Sequence, residues 1–395
     1  MEAQVEMRPH DLIENSPRKI ISDVNVDPVE DTPTKTSAEF SSRKPVPRIW
    51  NFNDEFCLTA LKSEWYKSLF AIQSTFFHAS IDFFRGPQYD YRYLLVPLTT
   101  GSISSPMGLG SDSQPVSIEL HGETTYLADS QQFLLEYALR YDDDVPGTYY
   151  VGTSCRGEDH DSTHLNQFYH VECELRGSLQ EGIKVANEYI ISLTRILLEK
   201  HGDTIKSLAG STRHMTALLE LATKNGGNFP TLTLDEALAL PEIRHNEGIM
   251  WEYTVTGRPE CGCSLTRRGE QALLKRYGGA CWVVEMHHLS VPFYQAYCDG
   301  LDRSKARCGD FLLGLGEVVG CGNRHTTAEE ALVALDHHGV DPADYAWYVD
   351  MRRLKPLETT GWGIGSERFL SWVLQHDDVR DIQLIPRLKG LTSTP

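Results

Sequence analysis

The sequence predicts an α+β domain, an antiparallel β-sheet flanked by helices with a helical insertion. Three observations predict it. Of the 395 residues 41% are hydrophobic, 23% charged and 10% aromatic, ordinary globular usage with material for an ample core. Strand-like runs come in blocks with helical stretches inserted between the blocks, which argues against a βαβ repeat. No internal repeat or heptad array is visible.

Taken in order, residues 1–48 are polar, with Pro17, Pro28, Pro33, Pro45 and Pro47 among Ser, Thr and mixed charges. Such a stretch buries too little apolar surface to offset ordering, and a tail is expected. From Asn53 to Phe84, Leu61, Trp65, Leu69, Ile72, Phe76, Phe77 and Ile81 recur at helical spacing, which predicts one long amphipathic helix. YRYLLVPL, VSIEL and TTYLA read as strands around a Gly/Ser loop, and Ser130 to Arg140 as a helix. TYYVGTS (148–154) and FYHVECEL (168–175) predict two antiparallel strands joined by a charged loop. Ile183, Ala186, Ile190, Leu193 and Leu197 form a stripe that predicts a helix from Leu179 to Lys200, stopping at His201-Gly202. Residues 203 to about 262 are mixed and mostly helical, the expected insertion within a domain spanning 49–395. CWVVEM, VPFYQAY and FLLGLGEVVG return to strand-like composition. Thr326 to Glu329 resembles a capping box opening a helix that ends at Gly339, and a last strand and helix pair lies around Trp347 to Leu374.

Composition also excludes functions. Lys plus Arg is 37 against 55 Asp plus Glu, a net charge of −18 that repels phosphate backbones, so general nucleic-acid affinity is not expected. No apolar run reaches the roughly 18–20 residues of a membrane span, and Met1 to His10 lacks the apolar core of a signal peptide, so a cytoplasmic location is expected. The nine cysteines are odd in number and form no CxxC pairs, which predicts reduced thiols. Cys261 and Cys263 are the only close pair, and with Cys281 and His287 as the remaining candidates no zinc site is expected there.

Three stretches carry charged residues at spacings suited to a nucleotide. GWGIGSERFLSWVL runs from a glycine-rich strand end into a helix with Glu367 and Arg368 in its first turn. Glycines admit a phosphate to the backbone, and arginine supplies a fixed fork. In Cys155-Arg156-Gly157-Glu158, Arg156 and Glu158 face the same way if the strand continues. Asp310, Glu317 and Arg324 are separated by equal intervals of seven, and two carboxylates suffice for a Mg²⁺ that keeps waters and phosphate oxygens as its other ligands. Singly, each also fits a tight turn, a surface ion pair or exposed loop acids.

In this order the three resemble the motifs of class II aminoacyl-tRNA synthetases, most closely the catalytic domain of the asparaginyl and aspartyl subgroup, from about Asp54 to Pro386. YRYLLVPLTT, with Pro97, resembles motif 1; CRGEDHDSTHLNQFYHVECEL resembles motif 2; GWGIGSERF resembles motif 3. SQQFLLE, with Ser130 and Gln132, and GEVVGCGNR resemble two further family segments, while YAWYVDMRR, DDVRDIQLIPR and Glu172 look asparaginyl. The resemblance implies that Arg156 grips the α-phosphate and Arg368 the γ-phosphate of a bent ATP, with Glu158 on the adenine amine and Phe168 stacked on the ring. It also implies that Asp310 and Glu317 hold Mg²⁺, Arg324 binds the side-chain oxygen of the amino acid, and Gln132 and Glu172 help fix that substrate.

Departures shape the expected function. Only the polar tail stands where the family has an anticodon-reading barrel, and Thr163-His164 replaces an Arg-His in motif 2. The loop that bears a glutamate for the substrate ammonium reads Ser104-Ser105-Pro106-Met107, leaving Ser105 as its substrate-side candidate. Val291 stands for a lysine, and Glu358-Thr359 for a Pro-His. The expectation is therefore an AMP-forming ligase that activates aspartate, asparagine or a close analogue and passes it to ammonia or a small amine, with no tRNA partner. The alternative is an asparagine-tRNA ligase. A non-catalytic regulatory paralogue is disfavoured, since both motif arginines and both metal carboxylates are retained. A homodimer built on the first long helix and the Pro97 strand is expected.

Overall fold

The structure, a computed structural model, describes residues 46–51, 56–104, 113–244, 252–253 and 262–391. Its main sheet has eight strands in the order β1-β5-β6-β13-β12-β11-β10-β7. The centre is antiparallel: β5 (Gly147–Cys155), β6 (Gln167–Arg176), β13 (Thr359–Gly365), β12 (Gly316–Asn323), β11 (Cys308–Leu313) and β10 (Ala280–Val284). Two short parallel strands close the edges, β1 (Arg92–Tyr93) on β5 and β7 (Thr231–Thr233) on β10. A smaller sheet joins β2 (Thr99–Thr100), β4 (Glu123–Leu127) and β3 (Val116–Leu120), and β8 (Glu252–Tyr253) pairs with β9 (Cys263–Ser264).

Alternation along the strands decides what each face does. Val171, Cys173 and Leu175 of β6, Val319 and Cys321 of β12, and Trp362 and Ile364 of β13 point into one core cluster. The helices Glu64–Arg85, Leu179–Ala209 and Ser366–Leu374 pack there. Tyr189, Ile190, Leu193 and Leu197 of the second are at most 1% exposed, and each such burial contributes about 1.5–3 kcal/mol. The other face of the same strands is polar and glycine-rich, and it carries the site.

Several elements differ from the sequence expectation. The first long helix is two, Phe56–Leu61 and Glu64–Arg85, because Ser63 caps the second by accepting from Trp65 N. The helix from Leu179 passes through Gly202 and ends at Gly210, in the left-handed conformation (φ 82°). Ile205, Leu208 and Ala209 extend its buried stripe, and that packing outweighs one interior glycine. The capping box sits one residue later than read, at Thr327 and Glu330. VPFYQAY is no strand. It makes only isolated bridges, Gln295 with Arg324 and Tyr297 with Ala306, and buries the successive Phe293 and Tyr294 where a strand would bury alternate residues. Cys155, Cys173, Cys263, Cys281, Cys298, Cys308 and Cys321 are free thiols, five of them buried. No helix among the described residues is long and apolar enough to cross a membrane.

Candidate functional site

The polar face floors a cavity of about 400 Å³, within the usual range for small-molecule sites. Its floor is glycine because the neighbouring strands bring large charged side chains to it. Gly361 and Gly363 of β13 stand opposite Glu174 and Glu172 of β6 on one side, and opposite Gly322 and Gly320 of β12 on the other. A Cβ on Gly361 would collide with the Glu174 carboxylate and the Arg324 guanidinium, and one on Gly363 would lie 3.1 Å from Glu172 Cγ. Beside that floor the cavity wall includes Gln132, Arg156, Glu158, Phe168, Glu172, Asp310, Glu317, Arg324 and Arg368. Nine residues singled out in the sequence thus line one cavity. Ser105, the tenth, lies outside the described residues, as does Cys261.

One end is built around motif 3 and the β5–β6 hairpin. Arg368, in the first turn of Ser366–Leu374, donates from Nη1 to the Glu317 carbonyl (2.9 Å) and from Nε to the Thr163 carbonyl (3.3 Å). The Arg156 guanidinium lies 5.3 Å from the Phe168 ring centre, and its Nε is buried without a hydrogen-bond partner. Glu158 accepts from Gln114 N at 3.1 Å. Asp310 of β11 and Glu317 of β12 flank Gly320, whose Cβ position would be 3.9 Å from Asp310 Oδ1 and 3.1 Å from Glu317 Oε1. Burial first, then Glu317 and Glu270, push the Asp310 carboxyl well above the ordinary carboxylate range. Glu270, on the helix Arg267–Arg276, is raised to about 7 by burial and then by Glu317. Arg368 Nη1 lies 3.8 Å from Glu317 Oε2, and the carboxylates of Asp310 and Glu317 are hard oxygen donors of the kind Mg²⁺ takes in ones and twos, so this pair fits that ion.

The other end holds a buried charged network. Arg324 is 3% exposed and forks onto Glu174, with Nε to Oε1 at 3.2 Å and Nη2 to Oε2 at 3.1 Å. Its Nη1 donates to Gln295 Oε1 (3.2 Å), and Glu136 lies 3.9 Å from Nε. Glu136 in turn is held by Arg352 and by Tyr348 Oη. Burial alone would lower the Arg324 pKa, but Glu174 and Glu136 outweigh it and keep the fork charged. Glu172 accepts from Ser130 Oγ (2.8 Å), Tyr150 Oη (2.6 Å) and Gln131 N (3.2 Å), while burial raises its pKa. Beside it His170 is held neutral, its pKa pushed down to about 3 by burial and then by Arg156. Gln132 Nε2 is buried without a partner, and Val291 puts an apolar side chain on the wall. The sequence reading missed Glu174, although it lies two residues after Glu172 and so on the same strand face. It also missed Glu136, Gln295, Arg352 and Glu270, which only the tertiary fold brings to the site.

The family model described as tRNA synthetases class II (D, K and N) matches residues 55–389. The chain belongs to that family. Among curated relatives, the asparagine–tRNA ligase of Koribacter versatilis is 25% identical over 72% of this chain and 62% of its own length. The enzyme of that name from Thermococcus gammatolerans is 27% identical over 67% of this chain and 57% of its own. This class II chain therefore spans only 57–62% of the length of these two relatives. The asparaginyl-tRNA synthetase of Pyrococcus horikoshii, complexed with asparaginyl-adenylate, superposes with a TM-score of 0.73 at 22% identity, covering 89% of this chain and 76% of that one. The Entamoeba histolytica enzyme gives 0.69 at 21%, covering 84% and 70%. At such identities the likeness establishes the class II fold, an α+β sheet flanked by helices.

Proposed function

We propose that the protein is an ATP-dependent ligase that forms an aminoacyl-adenylate from asparagine and transfers the acyl group to tRNA. One observation carries the proposal: a single cavity lined by Arg156 and Arg368, by the acid pair Asp310 and Glu317, and by Arg324. In the reaction an α-carboxylate oxygen of the amino acid attacks the α-phosphorus of ATP, the bond to the β,γ-phosphates breaks, and pyrophosphate leaves. The acceptor then attacks the acyl carbonyl and AMP leaves. Arg156, with its unpartnered Nε, and Arg368 are assigned to the α- and γ-phosphates, Glu158 to the adenine amine, and Phe168 to the ring. Fixed cations facing a site of growing negative charge lower the barrier without a general base. Asp310 and Glu317 would hold Mg²⁺, which when bound offsets charge on the leaving pyrophosphate.

The charge state of the acyl end supports asparagine over aspartate. Arg324 is already matched by Glu174, with Glu136 close by. A substrate carboxylate there adds a negative charge beside Glu174 and Glu136, the carboxylates that already face Arg324 and Arg352, whereas a side-chain amide adds none. Gln132 and Glu172, on the wall beside it, would fix the rest of the amino acid.

The names of the relatives support tRNA as the acceptor, which replaces the expectation of ammonia or a small amine. One observation favours a tRNA-independent acceptor: in the motif 2 loop His164 is turned onto Asp161 (Nδ1 to Oδ1, 3.0 Å), beside Thr163 where the family has arginine. Asparagine-dependent AMP release, with and without tRNA, separates the two. Aminoacyl-tRNA that is stable to acid and cleaved by mild base supports the proposal, whereas AMP release that depends on an added amine and ignores tRNA contradicts it.

A further inference from the structure

We propose that His288, His337 and His338 form a binding site for one divalent transition-metal ion of the zinc type, apart from the acid pair of the main cavity. The three come from two elements. His288 opens the short turn His288–Ser290 after β10, and His337 and His338 are the last two residues of the helix Ala328–His338. One ring nitrogen from each lies within 4.8 Å of the other two. Tetrahedral zinc with Zn–N bonds of about 2.0–2.1 Å separates its nitrogens by about 3.3 Å, so small side-chain shifts close the triangle.

Hydrogen bonds fix which atoms face the centre. His288 Nε2 lies 2.7 Å from the Gln295 carbonyl, which only accepts, so Nε2 carries the proton and Nδ1 keeps its lone pair. That Nδ1 is 2.9 Å from His338 Nε2, and the proton between them sits where a metal would bind. Besides those side-chain shifts, coordination requires that His338 move this proton from Nε2 to Nδ1. A ligating histidine whose other N–H is held by a backbone carbonyl is the usual second layer of a metal site. Tyr297 adds to it, with its ring stacked on His288 at 4.0 Å and its hydroxyl 3.0 Å from His337 Nδ1. His288 and His338 are 0% and 2% exposed while His337 is half-buried, which leaves one side open for entry and for a water ligand.

The site also reaches the acyl end of the main cavity. Gln295 accepts from His288 through its carbonyl and from Arg324 Nη1 through its side chain, so a bound ion braces the residue that holds Arg324.

Chelator-treated full-length protein titrated with Co²⁺, followed by the d–d absorption of tetrahedral cobalt, and with Zn²⁺ by calorimetry, tests the proposal. The expected result is one ion per chain with a rise in Tm. His337→Ala, at a half-exposed position that tolerates truncation, should weaken binding by at least about 10–100-fold and remove the Tm shift. His338→Gln should do the same. No saturable binding, binding unchanged in both variants, or binding abolished instead by Cys263→Ser would overturn it.

Discussion

Under the proposed function Arg324 serves two purposes that one substitution removes together. Arg324→Leu leaves Glu174 buried without its countercharge, a change that costs about 3–5 kcal/mol of stability. The same change should lower kcat/KM for acyl activation on the order of 30-fold to several thousand-fold, with ATP binding largely intact below the variant's Tm. Arg368→Leu should instead impair ATP use for every acyl substrate. Equilibrium ATP binding by the two variants checks this, and equal loss in both contradicts the separate assignments. Glu270 makes a pH-dependent prediction. Its folded pKa of about 7 exceeds the unfolded value of about 4.3, so the native state binds the extra proton and stability falls as pH rises from about 4.5 to 7. Glu270→Gln should therefore raise Tm at about pH 7.5 and change it little at about pH 4.5. Thermal melts at both values test it, and a shift independent of pH would contradict the origin given for the cluster.

β13 shows what a strand of alternating glycines does. Gly361→Ala places a methyl group against Glu174 and Arg324, which must then move. A displacement of about 1 Å at a positioning group costs on the order of 100-fold in rate, so adenylate formation should fall by about that much, together with a loss of Tm because the buried Arg324–Glu174 pair is displaced. Wild-type kinetics in Gly361→Ala would show that the floor is not needed. The GWGIG run was legible in the sequence as a backbone open to phosphates, and the β5–β6 hairpin as two strands carrying Arg156, Glu158 and Glu172. Why the glycines are needed was not legible, since Glu174, Gln295 and Arg324 reach Gly361 and Gly322 only through strand register and a bridge between segments far apart in sequence. Helix ends were misread for local reasons: a single capping serine at Ser63 outweighed a continuous stripe, and a buried stripe carried the helix past Gly202. Glu270 and the histidine cluster gave no sequence signal, because neither has a spacing that local periodicity would mark.

In the whole molecule, the aromatic stripe of Glu64–Arg85 divides between core and surface. Trp65, Leu69, Ile72 and Phe76 are buried, whereas Phe70 is 63% exposed. In the Pro97 segment Leu95 and Leu98 are 87% and 62% exposed, large apolar side chains that a second copy of the chain would cover. A homodimer is expected, and sedimentation showing only a 44.5 kDa species at micromolar concentration would contradict it. The net charge of −18 makes any tRNA contact depend on local basic groups, so transfer to tRNA should weaken steeply as salt is raised. Amino-acid-dependent ATP–pyrophosphate exchange, by the full chain with Mg²⁺ and with asparagine, aspartate and lysine in turn, tests the central claim most directly. Exchange that requires asparagine, falls at least about tenfold with aspartate and is absent with lysine is the expected result. No exchange with asparagine, or exchange led by aspartate or lysine, would contradict an asparagine-activating site built on Arg156, Arg368 and Arg324.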